Sequence, residues 1–203
     1  VKFLAVEQKA INVTQAAVVK AAHANPAPLG LMGFGMTTVL LCLKIAGLIP
    51  AESLGMVFAM GIFYGGIAQV IAGWLEYKNN NTFAATAFTS FGLFWITFIV
   101  ISLLPRLGLA GAVDGVSMAA YVGIWGVFTT YMFIGTLTKP RTFQFVFGSA
   151  MLLFFIIAIA DYTGNSLVRT VGGYEGIICG ASAIYLACAE ILNEAYGRKV
   201  LPI

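Results

Sequence analysis

Six long apolar runs dominate the chain, at roughly 29–49, 54–75, 83–104, 117–137, 143–162 and 173–193. Each approaches the ~20 consecutive, mostly apolar residues that a helix needs to cross a bilayer. The breaks between them are LIPAES, EYKNNNT, the longer PRLGLAGAVDG, LTKPRT and DYTGNSLVRTVGG, where Pro, Gly, Asn and charges cluster. This pattern predicts an all-α membrane protein with six transmembrane helices and both ends on one side. Residues 1–24 precede the first span as a separate N-terminal segment, and 25–203 form the six-helix domain. The segment VKFLAVEQKAINVTQAAVVKAAHA has no continuous apolar core and so does not read as a secretory signal. Its mixed residues suit either a short amphipathic surface helix or an unstructured tail.

Composition agrees with this class. Of 203 residues, 60% are hydrophobic and only 9% charged, against about 25% charged in soluble domains. The net charge of +3 is too small and scattered for a nucleic-acid partner. Cys42, Cys179 and Cys188 lie inside apolar runs without metal-type spacing, so neither a metal nor a cofactor is expected. The basic residues divide unevenly. Lys2, Lys9, Lys20, Lys78, Lys139, Arg141, Arg198 and Lys199 fall on the side of the termini, and only Lys44, Arg106 and Arg169 on the other. The positive-inside rule therefore puts both termini in the cytoplasm.

The six spans form three hairpins that resemble one another. The odd helices open with NPAPLGLMGFG, NTFAATAFTSFG and RTFQFVFGSAM, which place Phe34, Phe91 and Ala150 at matching positions. The even helices carry GIFYGG from Gly61, GIWGVF from Gly123 and GIICGAS from Gly176. All three hairpins start from the same side, so the repeat is parallel, with a pseudo-threefold axis along the membrane normal. Equivalent positions then converge, and a narrow central path ringed by Phe34, Phe91 and Ala150 is expected. Gly61 with Gly65, and Gly176 with Gly180, are spaced for close helix approach.

Asn25 and Pro26 read as a helix start, an N-cap followed by proline at the first helical position. The Asn25 oxygen can accept from the Ala27 amide while its NH2 group stays free to donate. Leu29 would offer the next open N–H, and the helix start would favour an anion.

NPAPLGL resembles the signature of the acetate uptake transporters, the succinate–acetate permease family. MGIFYGGIAQ, LEYKNNNTFAATAFTS, GIWGVFT, QFVF, ICGASAIYLA and LNEAYGRKVLPI are similar to the bacterial permeases as well, so the resemblance runs from Asn25 to Ile203. It implies a hexamer of six-helix protomers in the cytoplasmic (inner) membrane. The function it implies is uptake of acetate with some succinate, by proton symport or through a channel. The family's hydrophobic constriction of Phe, Tyr and Leu falls on Phe34, Phe91 and Ala150. Here a hydroxyl is lost and the third position is wider, which bears on substrate preference. The substrate path is expected to run past Asn25, Pro26, Ala27, Leu29, Phe34, Thr37, Thr38, Gln69, Thr89, Ser90, Phe91, Ala150 and Ala183.

Polar residues inside a membrane call for a reason. Gln69 is mid-span, and Thr37, Thr38, Thr89 and Ser90 cluster near the two phenylalanines, although helical hydroxyls often bond their own backbone. Glu76, Glu190 and Glu194 sit at the terminal-side ends of even helices, where lysines and water would satisfy them, and Asp161 suits the opposite surface. An enzyme is not expected. Ser182, within GASA, would need a general base, but His23 lies outside the spans and Lys44 near the wrong end of its helix. A channel for another small solute or monocarboxylate is the alternative to acetate uptake.

Overall fold

The computed structural model describes residues 24–203. His23, Lys2, Lys9, Lys20 and the expected surface helix or tail lie outside the described residues. Among the described residues, six helices are long and apolar enough to cross a membrane: α1 Ala27–Ile45, α2 Leu54–Lys78, α3 Thr82–Leu103, α4 Gly115–Thr136, α5 Arg141–Thr163 and α6 Ser166–Ala195.

Short polar side chains start several of them. Asn81 accepts from the Ala84 amide at 3.2 Å, Asp114 from Ser117 at 2.9 Å, and Asn165 from Leu167 at 2.9 Å and Val168 at 3.2 Å. The last cap corrects the sequence reading. RTVGG belongs to α6 rather than to a loop, because the chain turns at Gly164, with φ of 66°, and Asn165 caps at once. Gly172 and Gly173 look like loop residues but serve close packing. A Cβ on Gly173 would stand 2.5 Å from the backbone nitrogen of Ala46 in α1.

Helix α2 is not uniform. It is α-helical over Leu54–Ile62, widens into a π turn over Phe63–Ala68, and resumes as α-helix at Gln69. A π turn takes in an extra residue and so rotates the helix beyond it.

The helices close into a ring in which α2 packs on α3, α4 on α5 and α6 on α1, while α3 and α4 barely touch. The tight partners therefore cross between the sequence hairpins rather than lying within them. Contacts follow the threefold repeat. A Cβ on Gly61 would meet Ile99, one on Gly176 would meet Cys42, and one on Gly123 would come nearest to Ala158. Cys42, Ile99 and Ala158 each stand eight residues beyond Phe34, Phe91 and Ala150. The π turn accounts for the one break in register. Gly66 lies five residues after Gly61, whereas its counterpart Gly180 lies four after Gly176.

Candidate functional site

At the centre, odd helices α1, α3 and α5 bring Phe34, Phe91 and Ala150 to one small void of about 20 Å³, bordered also by Gln69, Phe88 and Phe147. The Phe34 and Phe91 rings are 5.8 Å apart. Phe91 also meets Phe128 at 5.4 Å, and Phe147 and Phe154 at 6.3 Å each. A void of this size has room for about one water molecule, so the collar is too narrow for a carboxylate. The residues that close it with Phe91 are a set the motif comparison did not reach. Phe147 and Phe154 sit three before and four after Ala150, and this spacing was the available signal.

Gln69 is fully buried against this void, and neither its amide nitrogen nor its oxygen has a partner among the described residues. Its stem lies on Gly33, beside Phe34. The π turn ends at the residue before it and so decides where the amide points. A buried, unpaired primary amide offers both donors and an acceptor to a passing solute.

The other candidates have humbler partners. Thr38 bonds its own helix at the Phe34 carbonyl, 2.7 Å away, and Thr37 reaches the Met60 carbonyl only at 3.5 Å. Thr89 packs its hydroxyl against Gly73 of α2. Thr89, the half-buried Ser90 and the fully buried Ala183 border neither the collar void nor the larger cavity on its far side. Ser182 donates to the Cys179 carbonyl at 2.6 Å, the ordinary backbone bond of a helical serine.

The start of α1 differs from expectation in three ways, the first being that Pro26, with helical backbone angles, is the capping residue and Asn25 lies one residue outside it. Asn25 Oδ1 does accept from Ala27, at 3.0 Å, but its NH2 group is engaged, donating to Glu190 Oε2 at 2.9 Å. The Leu29 amide is not open either, since it donates to the Pro26 carbonyl at 3.1 Å. Pro26 is buried beneath this turn, and Ala27 packs on the core. The same joint recurs in the next repeat, where Asn81 caps α3 and donates to Glu76 Oε2 at 2.9 Å. Glu76 is only 3% exposed. Among the described residues, neither glutamate forms an ion pair with lysine as expected. Each is held by the asparagine at the start of the neighbouring odd helix. The legible signal was an Asn before two odd helices and a Glu near the end of two even ones. The pairing required the ring.

Beyond the collar, at the end away from the termini, a cavity of about 410 Å³ opens among α1, α3, α4, α5 and α6. Its walls are nearly all apolar, with Phe34, Phe94 and Phe154 at the collar side and Asp161 and Arg169 on its wall. Asp161 is no free surface charge: it pairs with Arg169 and its side chain is only 8% exposed. Outside the spans, Asp114 has a carboxyl held below its usual range, first by the Ser117 backbone amide and then by the Ser117 hydroxyl.

This arrangement has relatives. The sequence pattern of the GPR1/FUN34/yaaH family matches residues 8–201. The chain is 57% identical over 180 residues to the succinate-acetate/proton symporter SatP of Escherichia coli strain K12, covering 89% of this chain and 95% of that one. It is 31% identical over 195 residues to acetate permease A of Emericella nidulans, covering 89% of this chain and 65% of that one. The solved structure of the bacterial acetate channel SatP matches with a TM-score of 0.87 and 56% identity, over 89% of this chain and 99% of that one.

Proposed function

The chain belongs to the GPR1/FUN34/yaaH family, and from that premise we propose that it carries acetate, and succinate less readily, across the cytoplasmic membrane. It does so as a hexamer with both termini inside. The observation that carries this reading is the apolar collar of Phe34, Phe91 and Ala150, too narrow for a carboxylate, with the unpaired amide of Gln69 at its edge. Acetate presents opposite demands at its two ends. Its methyl group suits an aromatic collar, and its carboxyl group needs donors in place of water. Gln69 provides these at the narrowest point, and a neutral carboxylic acid can both donate to it and accept from it.

Passage requires ring movement, because the void has room for about one water molecule and not for acetate. Phe34 and Phe91 are the gate, and Ala150 is its widest side. Acetic acid has a pKa near that of a carboxyl side chain, about 4 to 5, so at neutral pH most of it is anionic. A proton must travel with it, or protein donors must replace its hydration. Acetate flux in proteoliposomes, with pH gradient and membrane potential set independently, tests the function. Flux that follows the pH gradient supports symport, and flux that follows potential alone supports a channel. No acetate flux under either gradient would overturn the reading. Orientation is tested with cysteines introduced at Lys139 and Asp114. An impermeant thiol reagent added outside cells should label only the second.

A further inference from the structure

Arg169 and Asp161 have no part in the collar, yet both line the 410 Å³ cavity beyond it. Among the described residues, Arg169 is its one basic residue and Asp161 its one acidic residue. Asp161 stands in the last turn of α5 and Arg169 in the first turn of α6. The Asp161 backbone is fixed by α4, since a Cβ on Gly115 would lie 2.6 Å from its carbonyl oxygen. The bond between them uses a single guanidinium nitrogen, Nη2, on a single carboxylate oxygen, Oδ1. No described group takes the Nη1 or Nε hydrogens, and the Arg169 side chain is 44% exposed. A guanidinium carries five N–H donors, so an edge remains for a second carboxylate.

The rest of the wall offers little to compete. The hydroxyl of Thr38 is committed to the Phe34 carbonyl and that of Ser102 to the Phe98 carbonyl, at 2.7 and 3.0 Å. The indole N–H of Trp95 has no partner among the described residues, but its nitrogen is buried and not exposed at the cavity surface. Apart from the Cys42 thiol, a weak donor, Arg169 holds the side-chain hydrogens left for a ligand here. Low-dielectric walls of Phe98, Leu153 and Ile157 strengthen the field of such a charge.

We infer that the free edge of Arg169 receives the substrate carboxylate in this cavity, and that Asp161 biases it toward monocarboxylates. This rests on the carboxylate-transport reading above. A monocarboxylate places its one charged group on the guanidinium and its methyl group on the apolar wall. A dicarboxylate must put its second charge either on that wall, losing water, or toward Asp161, meeting like charge. Arg169 thus recruits, and Asp161 selects.

The test is the concentration dependence of initial uptake of radiolabelled acetate and succinate into cells, with rates normalised to folded protein. Arg169→Gln should raise the KM for acetate about tenfold, the loss expected for a charged hydrogen bond, with Vmax within about twofold. Arg169→Lys keeps the charge without the fork and should fall between. Asp161→Asn should lower the KM for succinate more than for acetate, changing their ratio by about threefold or more. An unchanged KM in Arg169→Gln, or a fall in Vmax alone, would make the pair a structural latch and overturn the recruiting role. Equal shifts for both substrates in Asp161→Asn would overturn the selecting role. A wild-type protein that moves neither acid would overturn the transport reading and this assignment with it. Wild-type transport with unmoved variants overturns this assignment alone.

Discussion

Two of the three helix crossings in the ring are built alike, and the third is not. Where α6 meets α1, a Cβ on Gly35 would stand 2.7 Å from the Gly180 carbonyl oxygen, and one on Gly180 equally close to that of Gly35. Where α3 meets α2, a Cβ on Gly92 would stand 2.7 Å from the Gly66 carbonyl oxygen. Backbone there lies on backbone. Both crossings also end in the same kind of joint, an Asn at the start of the odd helix bonded to a Glu near the end of the even one. At the α4–α5 crossing, Gly126 instead faces the ring of Phe155 and Gly148 that of Phe133, and Gly123 has nothing nearer than 3.9 Å. Pro140 stands at the start of α5, with no asparagine joint. The same unit supplies Ala150, where the other two supply phenylalanine. A repeated backbone therefore holds two rigid walls and one yielding wall, and the collar is widest at the yielding one.

The largest effects should come from the rigid crossings. Gly35→Leu or Gly180→Leu drives a side chain into a carbonyl that has no room to retreat. Overpacking usually costs about 1–3 kcal/mol, and contact with backbone lies at or above the top of that range. Loss of folded protein in detergent, followed by thermal unfolding, is the expected readout. A stable Gly180→Leu protein would show that the α1–α6 contact yields after all.

Next in size are the joints. Asn25→Asp and Asn81→Asp still allow a cap but set a second carboxylate against Glu190 and Glu76. Transport should fall about tenfold or more in Asn81→Asp, because Glu76 is buried and a buried carboxylate without its donor is strongly disfavoured. It should fall by less in Asn25→Asp, whose bond to Glu190 is exposed. Asn25→Ser and Asn81→Ser should do less harm. Equal rates for the Asp and Ser variants would reduce the joints to simple caps.

The yielding wall should respond in selectivity rather than stability. Ala150→Leu narrows the collar and should lower succinate uptake more than acetate uptake, while Phe34→Ala should admit larger acids and raise leak. The ratio of the two uptakes decides, and an unchanged ratio in both variants would remove these residues from the path. Smaller still is the contribution of Asp114 at the start of α4. Its depressed pKa means that its stabilising effect is full above about 3.9, the ordinary aspartate value, and fades as pH falls through its lower folded value. The unfolding temperatures of wild type and Asp114→Ala should therefore differ at neutral pH and converge in acid. Gly123→Ala, with space around it, should change stability by no more than about 0.5 kcal/mol.

Much of this plan was legible in the chain. Apolar length gave the six helices to within a few residues, except at α6. There the Gly172–Gly173 pair reads as a break until α1 is seen against it. Phe34, Phe91 and Ala150 could be matched because each follows a recognisable helix start. The π turn left no such mark, since FYGGIA contains no helix-breaking proline and no charge. Its one trace was the spacing of Gly61 and Gly66 against Gly176 and Gly180. The bond between Asn25 and Glu190 spans 165 positions and depends on ring closure, which no local pattern encodes.

That bond has an implication for how the chain could be cut and rejoined. The turn at Asn79–Asn81 links α2 to α3 by peptide bonds, and Asn81 clasps Glu76 across it. Between α6 and α1 there is no such turn, yet Asn25 clasps Glu190 in the same manner. One junction is covalent and the other is a seam, but the ring treats them alike. Opening the chain near Asn80 and bridging the seam with a linker would give a circular permutant that keeps every helix crossing of the ring. The ring needs each odd helix to be leaned on by the even helix beside it, and which one comes first along the chain is incidental.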